Sequence, residues 1–157
     1  MKIASFSTNG YPSEKRKYLS LFTHEQALAL IEKGVDVEVI DLAPDKEEFP
    51  KNTQTTYEGV TVHRVLPISL SSPSQSLKTI SYLKKCVRKS TFDILLCSFL
   101  DSQYIKYLPW IFNKAKMKLC FTVHGRDAMI PYVGVKGTIK AKIKRYLFQI
   151  SNFCFPV

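Results

Sequence analysis

The feature that most constrains this chain is an alternation that runs through all 157 residues: short β-branched and aromatic runs separated by segments with helical spacing. Strand-like runs fall at 2–7, 36–42, 60–66, 93–98, 118–124 and 153–157. Near-continuous apolar character in such runs is what a parallel strand covered on both faces requires. The chain is therefore expected to be α/β, a Rossmann-like three-layer domain with a mostly parallel sheet in the order 3-2-1-4-5-6. A chain of this length fits one domain.

The intervening segments carry helix signals. The first helix is predicted over 20–33, with Thr23 and Gln26 as a capping box, Ala27, Leu28, Leu30 and Ile31 as apolar surface, and Gly34 as its stop. After the Ser71-Ser72-Pro73-Ser74 loop, Leu77, Ile80, Leu83 and Val87 mark the inner face of a second helix, with Lys78, Lys85 and Lys89 opposite. A third is expected near 102–115. A fourth, at 138–150, has Ile139, Ile143, Leu147 and Ile150 on one stripe and Lys140 and Lys144 a turn apart on another. The segment 43–58 is polar and contains proline, so it reads as a loop between the second and third strands.

Charge divides the chain. Residues 1–60 carry seven Lys/Arg against ten Asp/Glu, whereas residues 61–157 carry sixteen against three, so the net +10 belongs to the second half. No acid follows Asp127, and Lys136, Lys140, Lys142, Lys144 and Arg145 crowd one segment beside Tyr132, Tyr146 and Phe148. Such a patch calls for an anionic partner, whether lipid headgroups, nucleotide phosphates or nucleic acid. Nucleic acid is not expected, because no stacking platform or recognition-helix motif accompanies the charge. No apolar run reaches the roughly 18 residues of a membrane-spanning helix, and the first residues lack the pattern of a secretory leader, so a cytoplasmic protein is expected. Cys86, Cys97, Cys120 and Cys154 form no C-x-x-C pair, which predicts buried reduced thiols and no metal.

In doubly wound sheets a ligand binds beyond the carboxyl ends of the strands, near the point where strand order reverses. The loops there contain Asn9-Gly10-Tyr11-Pro12, Ser98-Phe99-Leu100-Asp101 and His124-Gly125-Arg126-Asp127. Asp41 closes the second strand where an acid could bind a ribose. The first loop, however, has Gly10 alone where a dinucleotide site has G-x-G-x-x-G. Asp41 is accordingly expected to be a solvated strand-end residue.

Thr122-Val123-His124-Gly125-Arg126-Asp127 resembles the "T-V-H-G-x-D" at the end of the fifth strand in family 4-like retaining glycosyltransferases. Tyr11-Pro12-Ser13-Glu14 followed by residues 21–30, LFTHEQALAL, is similar to the "Y-P-S…G-x-F-V-x-E-Q-A-x-A-L" opening of these enzymes. Gly34-Val35-Asp36-Val37-Glu38-Val39-Ile40 fits their second strand, and the order of the motifs matches over nearly the whole chain. The resemblance implies one half of a GT-B architecture. It places His124 beside the transferred sugar as the catalytic group, Gly125 at a close backbone approach, and Arg126 at phosphate or acceptor. Asn9, Gly10, Ser20 and Ser98 join them as substrate-binding candidates. Ser20 stands where the family has a glycine, and Cys97-Ser98 where many members have histidine. Asp127 reads as a helix cap, and His24 and His63 as structural.

By resemblance, residues 1–157 form the N-terminal, acceptor-side domain, truncated before the second Rossmann domain that holds the nucleotide. The basic pair and the E-x-x-x-x-x-x-x-E motif of that domain do not follow here. The implied reaction is sugar transfer from a nucleotide-sugar donor to a glycan or lipid-linked acceptor with retention, without metal or cofactor, in a cell-envelope or polysaccharide pathway. Lys136, Lys140, Lys144 and Arg145 would touch the inner face of the plasma membrane. The alternative is a non-catalytic accessory subunit that binds membrane and presents the acceptor.

Overall fold

The computed structural model describes residues 1–98, 102–113, 116–123, 139, 142–143, 145–147, 149 and 153–156. Its strands are β1 (Lys2–Ser7), β2 (Asp36–Asp41), β3 (Thr53–Tyr57), β4 (Val60–Arg64), β5 (Ile94–Cys97), β6 (Lys118–Val123) and β7 (Phe153–Pro156). They form one sheet in the order β3-β4-β2-β1-β5-β6-β7. Every pairing is parallel except β3 with β4. The six parallel strands thus follow the order expected from their apolar runs.

The seventh strand corrects the sequence reading, because the supposed loop over 43–58 contains β3. Its residues, Thr-Gln-Thr-Thr-Tyr, alternate between covered and exposed positions as an edge strand does, so no apolar run announces it. The turn into β4 is Glu58-Gly59, with φ of 45° and 82°. Two positive values in a two-residue turn give a hairpin whose twist matches its strands.

Alternate residues of the strands feed two cores. Ala4, Phe6, Ile40, Leu95, Cys97, Leu119 and Phe121 face one side, where Leu83, Leu108 and Leu147 cover them. Ile3, Val37, Val39, Val62, Leu96 and Cys120 face the other, beneath Ala27 and Tyr11. Both faces are covered, which is why the parallel strands read as continuous hydrophobic runs.

Helix α1 spans Leu21–Glu32. It ends as predicted: Gly34 has φ 77°, its N–H bonds Ile31, and the Val35 N–H bonds Leu30, the paired bonds of a Schellman stop. Its start differs from expectation. Ser20 is the cap residue, and Thr23 and Gln26 form no capping box: the Thr23 hydroxyl points to Ser98 instead. Ile31 is exposed rather than part of the apolar face.

Helix α2 spans Pro73–Ser90 and buries Ser76, Thr79, Leu83 and Cys86. The predicted stripe is therefore rotated, and Leu77 is exposed. Two small hydroxyl residues can face inward because each has partners there: Ser76 Oγ bonds Ser69, and Thr79 Oγ1 bonds the Leu66 carbonyl. The expected third helix is a 3₁₀ turn, Ser102–Lys106, followed by the short α3, Leu108–Ile111. Of the fourth, Ile139, Lys142, Ile143, Arg145, Tyr146, Leu147 and Gln149 are helical. Leu147 is buried, but Ile139 is exposed.

Candidate functional site

Chain order reverses between β1, which leads to β2 on one side, and β5, which is entered from β4 on the other. That switch point is where a doubly wound sheet opens a crevice at its carboxyl edge. Strand β1 ends at Ser7, whose hydroxyl donates to the Gly10 carbonyl at 2.6 Å and closes a tight turn. Gly10 has φ 85°. A Cβ there would lie 3.1 Å from Leu19 and 3.3 Å from the Ala43 carbonyl, so conformation and space both call for glycine. Asn9 is exposed beside it.

The chain enters α1 through Ser20, left-handed at φ 43°. This is the position where the resemblance calls for glycine, and the backbone explains the preference. The Ser20 carbonyl accepts the N–H groups of Thr23 and His24 at 2.9 and 3.2 Å. One turn in, Thr23 Oγ1 donates to Ser98 Oγ at 3.3 Å, tying α1 to the end of β5. Asn9, Gly10, Ser20 and Ser98 are thus gathered at one corner of the carboxyl edge. Ser98 is buried. Tyr18, Leu21 and Phe22 are exposed at the same helix start.

Beneath this corner lies a pair that sequence reasoning missed. Asp41, expected to be solvated, is fully buried and bonds Arg64 at 3.0 Å. The two residues end β2 and β4 at the same register. Arg64 is itself buried, and it donates to the carbonyls of Tyr11, at 2.8 Å, and Pro12. Its guanidinium also lies over Phe49 and bonds Thr55 Oγ1. Five donors in a fixed fork can hold a carboxylate and two loop carbonyls at once. Burial pushes the Asp41 carboxyl above its ordinary value, opposed by the Ala43 N–H and by Arg64. Arg16 with Asp45, and Ser13 with Glu48, fasten the same loop further out. The only sequence signal was an acid and an arginine closing two neighbouring apolar runs.

The two described histidines are structural. His24 is buried between the Tyr11 hydroxyl, at 2.7 Å, and Glu58, at 2.9 Å. His63 bonds Glu38 at 2.7 Å and lies 3.4 Å from the Cys86 sulfur. That series has the connectivity of a nucleophile, base and orienting acid. The thiol is buried, however, and burial raises its pKa, which removes the thiolate a nucleophile needs. Cys86, Cys97 and Cys120 are buried free thiols, as expected. Among the described residues, no three His, Cys, Asp or Glu side chains are grouped to hold a metal.

β6 ends at Val123. His124, Gly125, Arg126 and Asp127 lie outside the described residues, as do Lys136, Lys140 and Lys144; Arg145 is described and exposed. A family model described as Glycosyltransferase Family 4 matches residues 19–154, from the start of α1 to β7. The chain belongs to this family. No curated protein sequence matches alongside it. Family membership makes the domain a glycosyltransferase domain, and the strand order fits one Rossmann-like half of a GT-B enzyme. Among the described residues, no helix is long and apolar enough to cross a membrane.

Proposed function

We propose that this domain is the acceptor-side half of a retaining glycosyltransferase, which moves a sugar from a nucleotide-sugar donor to a glycan or lipid-linked acceptor. The observation that carries the reading is the corner at the β1/β5 switch point, where a buried Arg64–Asp41 pair fixes the first loop and Ser20 turns left-handed into α1. A loop held at its carbonyls keeps its outward backbone groups in place for a ligand.

In this reading a second Rossmann-like domain holds the nucleotide across the cleft. The exposed Tyr18, Leu21 and Phe22 at the start of α1 supply apolar surface for it. His124, directly after β6, hydrogen-bonds the transferred sugar and stabilises the charge that develops as the donor departs. Gly125 and Arg126, which follow it in sequence, join Asn9, Gly10, Ser20 and Ser98 as substrate contacts in this reading. Acceptor attack and donor departure take place on one face of the sugar, without a metal. The reaction belongs to cell-envelope or polysaccharide synthesis at the cytoplasmic face of the membrane, which Lys136, Lys140, Lys144 and Arg145 help to contact.

The test is sugar transfer from a nucleotide-sugar by this chain mixed with a separately supplied second Rossmann-like domain. Transfer is expected only with both components. His124→Ala should lower kcat/KM at least tenfold, about 1.4 kcal/mol of transition-state stabilisation. Transfer by the second domain alone, indifferent to His124, would assign this chain an accessory role instead.

A further inference from the structure

We propose that β3, the outermost strand of the sheet, pairs antiparallel with β3 of a second copy of this chain and joins the two sheets edge to edge. This does not rest on the sugar-transfer reading.

Strand β3 ends the sheet order, with β4 on one side and, among the described residues, no strand on the other. An edge strand presents a row of unpaired N–H and C=O groups, and monomeric proteins guard it with lysine, proline, a bulge or a covering segment. β3 has no such guard. Thr53-Gln54-Thr55-Thr56-Tyr57 contains no charge and no proline. It pairs with β4 residue for residue, from Thr53 with Arg64 to Tyr57 with Val60, so no bulge interrupts it. Gln54 and Thr56 are exposed.

The hairpin fixes which backbone groups face outward. In a two-residue turn the flanking residues, here Tyr57 and Val60, form the hydrogen-bonded pair. Bonded and non-bonded pairs then alternate along an antiparallel ladder. Tyr57, Thr55 and Thr53 are therefore turned toward β4, and the N–H and C=O groups of Gln54 and Thr56 point away from the sheet. The Gln54 carbonyl is exposed and takes the neighbouring Thr53 hydroxyl at 3.5 Å, a marginal bond. Among the described residues, no backbone bond outside the ladder involves Gln54 or Thr56.

This pattern is complementary to itself. A two-fold axis through Thr55, perpendicular to the sheet, lays the whole strand against its copy, with Thr53 opposite Tyr57 and Gln54 opposite Thr56. The outward groups of Gln54 then meet those of Thr56 in the other copy, and both residues exchange N–H and C=O bonds. Moving the axis to Gln54 or Thr56 leaves one end of the strand without its partner. The facing side chains are uncharged, and threonine and glutamine across from threonine form polar cross-strand pairs. An extended peptide of any sequence could bond the backbone, but the full-length match of the strand with itself favours a second copy. Antiparallel pairing also turns the copies head to tail, so their carboxyl edges, with the candidate sites, open in opposite directions and stay clear of the contact.

Sedimentation velocity of the 157-residue chain over a range of concentrations tests this. A reversible monomer–dimer equilibrium is expected, half dimeric at about 100 µM, because a strand of 5 residues buries less than the roughly 800 Å² per partner of a standard interface. The chain carries a net charge of +10, so association should tighten as salt screens the repulsion between copies. Gln54→Lys/Thr56→Lys sets like charges opposite each other and should weaken association about tenfold. Gln54→Lys/Thr56→Glu sets lysine opposite glutamate at both positions and should restore it. Unchanged thermal melts establish that the variants are folded. In amide exchange, the Gln54 and Thr56 N–H groups should gain protection as concentration rises, while Thr55, already bonded to β4, should not. A monomer at every concentration up to about 1 mM, or dimerisation indifferent to the paired lysines, overturns the proposal. So does a lysine–glutamate variant that stays as dissociated as the double-lysine one.

Discussion

Two buried polar networks lie on opposite sides of the sheet, and they do different things. On the α1 side, Arg64 bonds Asp41 and then reaches out to the carbonyls of Tyr11 and Pro12. On the α2 side, Glu38 bonds Lys2 Nζ at 2.6 Å and His63 at 2.7 Å, and Ser90 at the end of α2 donates to it as well. The second network joins neighbouring strands to the helix that covers them, and all its members belong to the regular elements. The first ends in a loop. A buried charge that holds irregular backbone is positioning something, and here that is the loop at the switch point.

The sharpest way to break this comparison is to remove Arg64. Arg64→Leu leaves a buried carboxylate unpaired and should cost about 3–5 kcal/mol in urea denaturation, as removing one partner of a buried pair does. Replacing both partners, as Asp41→Asn/Arg64→Leu, should recover part of that loss, because the two substitutions share one interaction. Glu38→Gln should cost less, about 2 kcal/mol, because it weakens charged hydrogen bonds without leaving a buried carboxylate unpaired.

Titration separates the networks by sign. Burial raises the Glu38 carboxyl, but bonds from Lys2 and His63 outweigh it and hold the group below its ordinary value. The folded protein then binds fewer protons there than the unfolded chain. Stability from Glu38 is present above about pH 4.5 and lost as pH falls through the lowered value. Asp41 is shifted the other way, so acidification below its raised value favours the fold at that site. In urea denaturation as a function of pH, Glu38→Gln should flatten the acid loss of stability and Asp41→Asn should steepen it. Equal slopes in the two variants would erase the distinction.

The smallest expected effect is a gain. Thr91 caps α2 in a left-handed conformation, with φ 34°. Thr91→Gly should raise stability by about 1 kcal/mol, because a β-branched residue is strained there. A loss in thermal denaturation would mean that Thr91 makes a compensating contact.

The sequence was most legible where one residue type dominates a whole element. Parallel strands covered on both faces are continuous apolar runs, so six strands and their order could be read directly, and Gly34 announced the end of α1. β3 escaped because an edge strand has one wet side and is built here from threonine and glutamine. The buried stripe of α2 was misread because Ser76 and Thr79 point inward on the strength of distant partners, the Ser69 and Leu66 carbonyls. The Arg64–Asp41 pair was hidden for a related reason. Two opposite charges 23 residues apart become neighbours only when β2 and β4 lie side by side. Of the candidate site, the loops could be located from sequence, but not what holds them.

The most direct test of the central claim is sugar transfer by the two-domain mixture, comparing wild type with Asp41→Asn/Arg64→Leu under conditions where both are folded. If the buried pair positions the first loop for the donor, kcat/KM should fall tenfold or more, about 1.4 kcal/mol, while the circular dichroism spectrum is unchanged. Wild-type transfer by the folded double variant would contradict the account and leave the pair as a structural crosslink like the one around Glu38.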